Sequence, residues 1–396
     1  MREVVIVDSV RTGLAKSFRG SFNMTRPDEM VAHCIDSLLE RNPGLNPELV
    51  EDCLVGAAAQ DGYQGGNIAR AATFLSKLPV STAGITMNRF CSSGLQTIAF
   101  AANQIASGCA DVIVAGGVES ITLTTGKSNN EGTANPRLQE EVPGLYMPMG
   151  VTAEVVAKRY GVSREAQDEY SLQSQQRIAT AQEAGLFEDE ISPMTVKFKK
   201  VINKETKETE IVETVVDRDE CNRPGTTLEG LSGLKPVFDP ENGTVTAGNA
   251  SQLSDGASMT LVMSAEKAEE LGLNPKAYFR GYLATGCGPD EMGVGPVFSI
   301  PKLLDYKGMK IDDIDLWELN EAFASQTVYC RDKLNIDNDK YNVSGGAISI
   351  GHPFGMSGSR MTGHLIRELQ RRNQKWGVVS MCVAGGMGAA GLFEAC

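Results

Sequence analysis

The chain is poor in the residues that bind nucleic acid or metal ions. Its 37 Lys and Arg residues are outnumbered by 50 Asp and Glu residues, which gives a net charge of −13. This balance excludes nucleic acid and anionic membranes as partners. The chain has only three histidines, and none of its nine cysteines forms a C-x-x-C motif. A zinc ribbon and a thioredoxin-type site are therefore excluded, and we expect no metal site.

Long apolar runs are also missing. No run approaches the roughly 18 residues of a membrane span, and the apolar run before Asp8 is too short for a signal peptide. The closing FEAC is neither a prenylation box nor a peroxisomal tripeptide. The nine scattered cysteines are expected to be free thiols, so we predict a soluble protein of the cytoplasm. Ordinary hydrophobic and charged fractions, 41% and 22%, indicate a globular chain.

Short apolar runs that predict strands alternate with helical patterns. The predicted strands cover residues 4–7, 53–58, 85–87, 111–115, 278–283, 316–318 and 377–383. Residues 92–107 place apolar side chains at helical spacing, and Gly108 provides a stop. Alternating strands and helices indicate an α/β fold with parallel strands covered by helices.

The middle of the chain has a different composition. Residues 121–245 hold a polar stretch, helical patterns at 152–159 and 164–184, and a charged segment with strand-like alternation. Core-like composition resumes at Thr246. We interpret this segment as an insertion.

Two stretches resemble each other. DVIVAGGVES (111–120) and VVSMCVAGGMG (378–388) are both β-rich runs that contain Ala-Gly-Gly, and each follows a glycine- or serine-bearing turn and a helical pattern. This order predicts two halves built on one plan, with active-site loops from both at one junction.

The glycines of GMGAAG (386–391) match the letters of a dinucleotide-binding fingerprint. That fingerprint needs a following helix and an acidic residue about 20 positions on. Only five residues follow Gly391, which excludes such a site here. The glycines indicate close backbone packing beside a pocket.

Three residues are candidates for chemistry. Cys91 precedes a helix, whose dipole favours the thiolate. His352 lies between Gly351 and Pro353 in a loop, whereas His33 and His364 fall within helical patterns and are expected to be ordinary helix residues. Cys382 ends a β-run. In one pocket, the three would supply a nucleophile, its base and a separate proton donor.

Five stretches in order resemble the motifs of thiolases. They are NRFCSSGLQ (88–96), VTAGNASQLSDGAS (245–258), WELNEAFA (317–324), GHPFGMSGSR (351–360) and CVAGGMGAAG (382–391). The resemblance runs along the whole chain. It implies two βαβαβαββ halves that form a five-layered αβαβα core. Residues 1–120 with 246–272 would form the N-terminal half, 121–245 a loop domain over the CoA site, and 273–396 the C-terminal half.

The resemblance also implies the chemistry of 3-ketoacyl-CoA cleavage by CoA, or the reverse condensation. Cys91 would become acylated, His352 would take its proton, and Cys382 would protonate the leaving acetyl-CoA carbanion. One oxyanion hole would use His352 and a water held by Asn320. A second would use the backbone N–H groups of Cys91 and Ala384. CoA would be a substrate, with no permanently bound cofactor.

The same resemblance assigns residues to CoA and substrate binding. Arg223 and Ser251 match contacts to CoA, and the remaining positions match the pocket lining: Met149, Phe238, Ala247, Ala322 and Phe323. It implies a homodimer or homotetramer and leaves a β-oxidation partner subunit open.

Some positions depart from the family pattern. Ala384 stands where glycine is usual, and it would be strained if its φ were positive. Phe354 and Met356 are bulkier than usual near His352. Pro148 replaces a histidine of biosynthetic acetoacetyl-CoA thiolases, which favours a degradative 3-ketoacyl-CoA thiolase of β-oxidation.

Three alternatives stay open to different degrees. A biosynthetic acetyl-CoA C-acetyltransferase would share every catalytic residue and differ in substrate length. A ketoacyl synthase would replace Cys382 by histidine. A catalytically silent acyl-CoA-binding subunit would lack one of the three catalytic residues, all of which are present.

Overall fold

The computed structural model describes residues 2–129, 131–203 and 205–396. The strands of these residues are Val4–Arg11 (β1), Ala15–Lys16 (β2), Asp52–Gly56 (β3), Ala83–Met87 (β4), Val112–Glu119 (β5), Met194–Val201 (β6), Thr209–Val216 (β7), Ser254–Ser264 (β8), Ala277–Gly286 (β9), Leu316–Leu319 (β10), Trp376–Val383 (β11) and Met387–Ala395 (β12).

The helices are Pro27–Arg41 (α1), Ile68–Leu75 (α2), Ser93–Ala106 (α3), Ile121–Thr124 (α4), Pro136–Glu141 (α5), Met149–Tyr160 (α6), Arg164–Glu183 (α7), Leu228–Ser232 (α8), Ala265–Glu270 (α9), Gly295–Lys307 (α10), Ala324–Lys333 (α11), Ala347–Ile350 (α12) and Phe354–Arg371 (α13). No helix among the described ranges is both long enough and apolar enough to cross a membrane.

The strands repeat one pairing pattern twice. In the first half the order is β4-β3-β5-β8-β1, and in the second it is β10-β11-β12-β9. In both halves a parallel pair (β3 with β5, β10 with β11) is followed by antiparallel neighbours. At the position that corresponds to the edge strand β4, the second half has a single parallel bridge between Trp317 and Tyr341. The two halves predicted from the Ala-Gly-Gly stretches are confirmed, since those stretches form β5 and the β11–β12 region.

The two half-sheets meet at their first strands, β1 and β9. They pair antiparallel through two residue pairs, Val5 with Tyr278 and Ile6 with Ala277. Alternate residues of β1 face opposite layers: Val5 lies in the core beneath α1 and α2, and Ile6 lies in the central core. This period of two is that of a strand buried on both faces.

Three hydrophobic cores separate five layers. The first lies between α1 and α2 and the first half-sheet, and the second surrounds α3 and α13 between the half-sheets. The third lies between the second half-sheet and helices α10 and α11. The αβαβα layering predicted from the resemblance is therefore confirmed.

The segment between β5 and β8 carries α4 to α8 and the hairpin β6–β7, in agreement with its predicted helices and alternation. Two core strands escaped prediction. β8 begins with the polar run SDGAS, and β12 begins with MGAAG, whose glycines indicate only close backbone packing beside a pocket. The loop between β11 and β12 is confined to residues 384–386, where Gly385 and Gly386 have φ of 80° and 79°.

Candidate active site

Cys91 lies in a turn that leads into α3. The turn, Phe90–Ser92, is a 3-10 helix, and α3 begins directly after it. Phe90 has φ of 44°, which is rare for a residue with a bulky side chain. The Ser93 hydroxyl donates a hydrogen bond to the Phe90 carbonyl oxygen at 2.7 Å and accepts one from the Arg89 N–H at 2.8 Å. These bonds fix the backbone on both sides of the sulfur.

The dipole of helix α3, which favours the Cys91 thiolate, is outweighed by burial. Burial raises the pKa of the Cys91 thiol to about 12, and hydrogen bonds from the backbone N–H groups of Ala384 and Cys91 offset this only in part. The cost of placing a charge away from water exceeds the effect of the helix terminus. Cys91 therefore carries its proton as a thiol.

The two central helices bring Cys91 towards His352. A side chain at Gly94, in the first turn of α3, would meet the Gly355 carbonyl oxygen at 2.7 Å and the Ser359 nitrogen at 2.9 Å. A side chain at Gly358 would meet the Leu95 nitrogen at 2.4 Å. Glycine at these positions permits the contact between α3 and α13, so the loops that precede both helices lie next to each other.

His352 is buried and held on both ring nitrogens. Its Nδ1 lies 2.6 Å from Ser357 Oγ, whose hydroxyl lies 3.0 Å from the Pro353 carbonyl oxygen. Because that hydroxyl donates to the carbonyl, it accepts the proton of Nδ1 and leaves Nε2 as an acceptor. Asn320 Nδ2 lies 3.2 Å from Nε2. Burial, followed by the charge of Arg360, lowers the pKa of His352 to about 3, so the ring is a neutral base.

Asn320 and Cys382 come together through neighbouring strands. The Asn320 N–H donates to the Ser380 carbonyl oxygen at 2.9 Å, directly beyond the parallel pairing of β10 and β11. Cys382 is fully buried near the end of β11. Burial raises the pKa of its thiol well above the ordinary value, and the nearby Cys91 adds to the effect. Cys382 is thus a protonated group beside Cys91.

The turn after Cys382 presents a backbone N–H to Cys91. Ala384 is not among the residues with positive φ, which are Gly385 and Gly386 at this turn. Alanine is therefore unstrained at position 384, and its N–H remains available to the sulfur. Phe354 places its ring edge against His352, with the centroids 5.0 Å apart, whereas Met356 is buried beside Leu14.

Two buried carboxylates that sequence reasoning missed hold the loops in place. Glu119, at the end of β5, accepts the Gly355 N–H at 2.8 Å and the Ala58 N–H at 2.9 Å. Glu321 accepts the Tyr170 hydroxyl at 2.8 Å and the Ile348 N–H at 3.1 Å. Glu119 follows directly on the β-run of the first repeated stretch, and Glu321 lies inside WELNEAFA, which were the available signals.

The predicted CoA and substrate residues fall into two groups. Met149, Ala322 and Phe323 pack with Cys382 and Met292. Arg223 and Ala247 line a cavity of about 200 Å³ between α7, α8 and the segment that leads into β8. Ser251 joins the groups, since its N–H donates to the Ala322 carbonyl oxygen at 3.0 Å. The exposed Phe238 lies directly against Gly150, where its ring would overlap any added side chain.

Comparison with protein families covers almost the whole chain. The thiolase N-terminal domain matches residues 4–266, and the thiolase C-terminal domain matches residues 273–395. The junction between them precedes β9, the first strand of the second half.

Curated relatives and solved structures agree with this match. The chain is 46% identical to the 3-ketoacyl-CoA thiolase of Bacillus subtilis (strain 168) over 396 residues, which is 100% of both chains. It is 44% identical to the peroxisomal 3-ketoacyl-CoA thiolase of Homo sapiens over 99% of this chain and 91% of that protein. The dimeric peroxisomal thiolase of Saccharomyces cerevisiae superposes with a TM-score of 0.90 at 38% identity, covering 100% of this chain and 98% of that one. The Bacillus anthracis acetyl-CoA acetyltransferase gives 0.90 at 37%, covering 100% and 99%. On these matches and this fold, the chain belongs to the thiolase family.

Proposed function

We propose that the chain is a 3-ketoacyl-CoA thiolase that uses CoA to cleave its substrate into acetyl-CoA and a shortened acyl-CoA. One observation supports this most strongly: a thiol held by the Ala384 N–H, a neutral imidazole whose Nε2 is an acceptor and a second protonated thiol share one site. A thioester-forming nucleophile must attack well and leave well, which sulfur does.

In the first half-reaction Cys91 Sγ bonds to the keto carbon as its proton passes to His352 Nε2. The new oxyanion lies against the backbone N–H groups of Cys91 and Ala384. The bond between the α and keto carbons then breaks, and its electron pair moves onto the acetyl-CoA fragment. Cys382 protonates that carbon, while His352, now charged, and a water held by Asn320 stabilise the thioester oxygen.

In the second half-reaction the thiol of CoA attacks the acyl group on Cys91. The CoA thiol gives its proton to Cys382, the tetrahedral intermediate collapses, and Cys91 leaves as a thiolate. His352 returns its proton to Cys91. Both thiols and the imidazole regain their starting states, so the cycle balances without any cofactor.

Residues 121–245 are proposed to cover the CoA site as a loop domain. Support comes from the cavity beside Arg223, which this segment lines jointly with Ala247 and Gln252 of the first half. Arg223 supplies a positive charge for a phosphate, and Met149 with Phe323 provides an apolar wall for pantetheine or acyl carbons. In the described ranges, no group of three or more acidic, histidine and cysteine residues is arranged to hold a metal ion.

A homodimer is proposed through the edge strand β4. One side of β4 pairs with β3, and the sheet ends there. Around this edge, large apolar side chains are exposed, namely Phe74, Leu75, Val80, Ile85 and Phe90. A second copy would cover an edge that otherwise invites non-specific pairing. The Ile85→Asp variant should therefore shift the mass measured by light scattering from dimer to monomer.

A cytoplasmic location is proposed from the cysteines. All nine carry free thiols, and Cys109 and Cys396 are exposed. Exposed free thiols persist in reducing compartments. Fractionation of the producing cells would contradict the proposal if the protein sedimented with an organelle.

Thiolysis of two substrates tests the function. Acetoacetyl-CoA and a 3-ketoacyl-CoA of eight or more carbons are compared at equal concentration, and faster cleavage of the longer one is expected. Activity confined to acetoacetyl-CoA would instead identify a biosynthetic acetyltransferase.

Two variants assign the thiols. Cys91→Ala should abolish both thiolysis and the acyl-enzyme seen by mass spectrometry. Cys382→Ser should still acylate Cys91 but lose exchange of the α-protons of acetyl-CoA with solvent. Exchange at the wild-type rate in Cys382→Ser would contradict its assignment.

A further inference from the structure

A row of buried polar side chains runs along α13 away from the active site. Ser357, Arg360, His364 and Glu368 follow one another at helical spacing, so they lie on one face of this central helix. Ser357 contacts His352, and all four are buried. Polar side chains in a central layer cost free energy unless they find partners. Their placement therefore calls for an explanation beyond packing.

A second polar row faces this one from β10. Trp317 and Leu319 belong to the third core, between the second half-sheet and helices α10 and α11. Leu316 belongs to the second core, in the central layer between the half-sheets. Because side chains alternate along a strand, Glu318 and Asn320 point to the central layer with Leu316. Asn320 contacts His352. Glu318 comes two residues before Asn320, so its side chain lies on the same face, one position further from His352. His352 thus lies at one end of a buried column of polar and charged side chains.

Arg360 is the charged group of this column that acts on His352. Its side chain is buried, and its Nε has no hydrogen-bond partner, as is true of His364 Nε2. Buried polar atoms of this kind are sites for ordered water. Burial lowers the pKa of Arg360, and the carboxylate of Glu318 opposes that shift. Burial also raises the pKa of Glu318 to about 7, so Arg360 contributes the stronger charge.

We propose that Arg360, which Glu318 faces from β10, is a positioning element that makes the buried His352 a weaker base. Arg360 touches no reacting atom and acts through the imidazole. A positive charge behind the ring makes a second positive charge on the ring costly until negative charge develops on the substrate. His352 then takes the proton of Cys91 only as the oxyanion forms. This role rests on the proposed function, in which His352 is the base.

Other charged groups surround the pair and bear on its charge. Around Arg360 these are Arg11 from β1 and two carboxylates of the inserted segment, Glu190 and Asp219. Around Glu318 they are His364 and Glu368 from α13 and Glu321 beyond β10. The carboxylates Glu190 and Asp219 are held directly by Arg11, at 2.9 Å and 2.6 Å. Glu190 also pairs with His364 at 3.1 Å, so both carboxylates have cationic partners of their own, and Arg360 is the cation one turn of α13 beyond Ser357.

Four variants test the proposal. Arg360→Gln removes the charge, and Arg360→Lys keeps it. The double variant Arg360→Gln with Glu318→Gln removes the charge without leaving a buried carboxylate unpaired, so it covers the case in which the single variant fails to fold. Asp8→Asn is the matched control, because Asp8 is a buried carboxylate that pairs with Arg367, two turns further along α13.

The first readout is the kcat/KM of thiolysis relative to wild type as a function of pH. Loss of the nearby charge is expected to raise the pKa of His352 by about 1–2 units. The ratio should therefore fall about twofold or more between about pH 8 and about pH 4 in Arg360→Gln and in the double variant. It should stay constant in Arg360→Lys and in Asp8→Asn, even where these lose stability. A constant ratio in both charge-removing variants would overturn the proposal.

The second readout does not depend on activity. Protein labelled with 15N-histidine has only three imidazoles, which are assigned by His33→Gln and His364→Gln. At about pH 5 the charge-removing variants should show a larger imidazolium fraction at His352 than wild type. An unchanged His352 spectrum would overturn the inference even in an active enzyme. A wild-type chain that cleaves neither substrate would instead refute the proposed function and leave the spectra to decide the role of Arg360.

Discussion

The hydroxyl of Ser357 holds Nδ1 of His352 at 2.6 Å, and this contact selects the tautomer of the imidazole. The hydroxyl hydrogen is committed to the Pro353 carbonyl oxygen, so the imidazole must carry its proton on Nδ1. The lone pair on Nε2 then faces the site. One turn of α13 therefore sets which ring nitrogen can act as a base.

Replacing Ser357 by alanine should lower kcat roughly 10-fold while leaving KM for CoA unchanged, because the ring loses its orientation. Ser357→Thr keeps the hydroxyl and should retain most of the activity. The loss of a buried partner should also cost about 1–3 kcal/mol in the free energy of unfolding. Equal activity losses in both variants would show that crowding, and not the hydroxyl, is responsible.

Alkylation of Cys91 should be slow near neutral pH and accelerate with alkalinity. Since burial raises the pKa of this thiol to about 12, the rate with iodoacetamide should rise about tenfold per pH unit between about pH 7 and about pH 10. Mass spectrometry of the Cys91 peptide gives the rate, with Cys91→Ser as the blank. A rate that is constant over this range would reveal a thiolate already present in the resting enzyme.

The contact between the central helices should not tolerate a side chain at Gly94. Its Cβ would lie 2.7 Å from the Gly355 carbonyl oxygen, so α3 and α13 would have to separate. Gly94→Ala should lower the free energy of unfolding by about 1–3 kcal/mol and abolish most thiolysis. Gly233→Ala is the control, because its nearest atom would lie at an ordinary 3.5 Å. Denaturant titration of both variants measures the difference, and similar values would contradict the close approach.

The ion pair of His364 with Glu190 should make stability depend on pH. Burial lowers the pKa of His364, but the charge and hydrogen bond of Glu190, whose Oε2 lies 3.1 Å from Nδ1, outweigh burial and raise it. A raised histidine pKa stabilises the fold below its unfolded value of about 6.5, and this contribution is lost as pH rises through the folded value.

The difference in free energy of unfolding between wild type and His364→Gln should therefore be largest near about pH 6 and shrink at alkaline pH. Urea titrations at several pH values measure it. A difference that grows with pH would mean that the neutral ring is the stabilising form.

Sequence periodicity predicted the parts of the fold in which burial is uniform. β1 begins with the apolar run 4–7, β11 is apolar except for Ser380, and α3 has a regular apolar face, so their positions followed directly. β8 was missed because its buried hydroxyls have partners inside the protein: Ser258 Oγ lies 2.9 Å from Ser359 Oγ. No pattern in one segment reveals a partner about 100 residues away.

The candidate site, like the fold, could be predicted from the sequence only in part. The motif residues Cys91, His352 and Cys382 could be selected because each lies where a strand or helix borders a glycine-rich loop. The charge state of Cys91 could not be predicted from the sequence, because it depends on how many atoms surround the sulfur after the two halves pack together. The helix that follows Cys91 was visible in the sequence, whereas the burial that outweighs the effect of the helix was not.

The repeated pairing pattern places the loop before α3 and the loop before α13 at corresponding points of the two halves. One carries Cys91 and the other His352. Two identical halves would place two cysteines, or two histidines, at these corresponding points, and neither pair would combine a thiol nucleophile with an imidazole base. The proposed pairing of a thiol with an imidazole therefore depends on a difference in sequence between two halves that share one pattern of strand pairing.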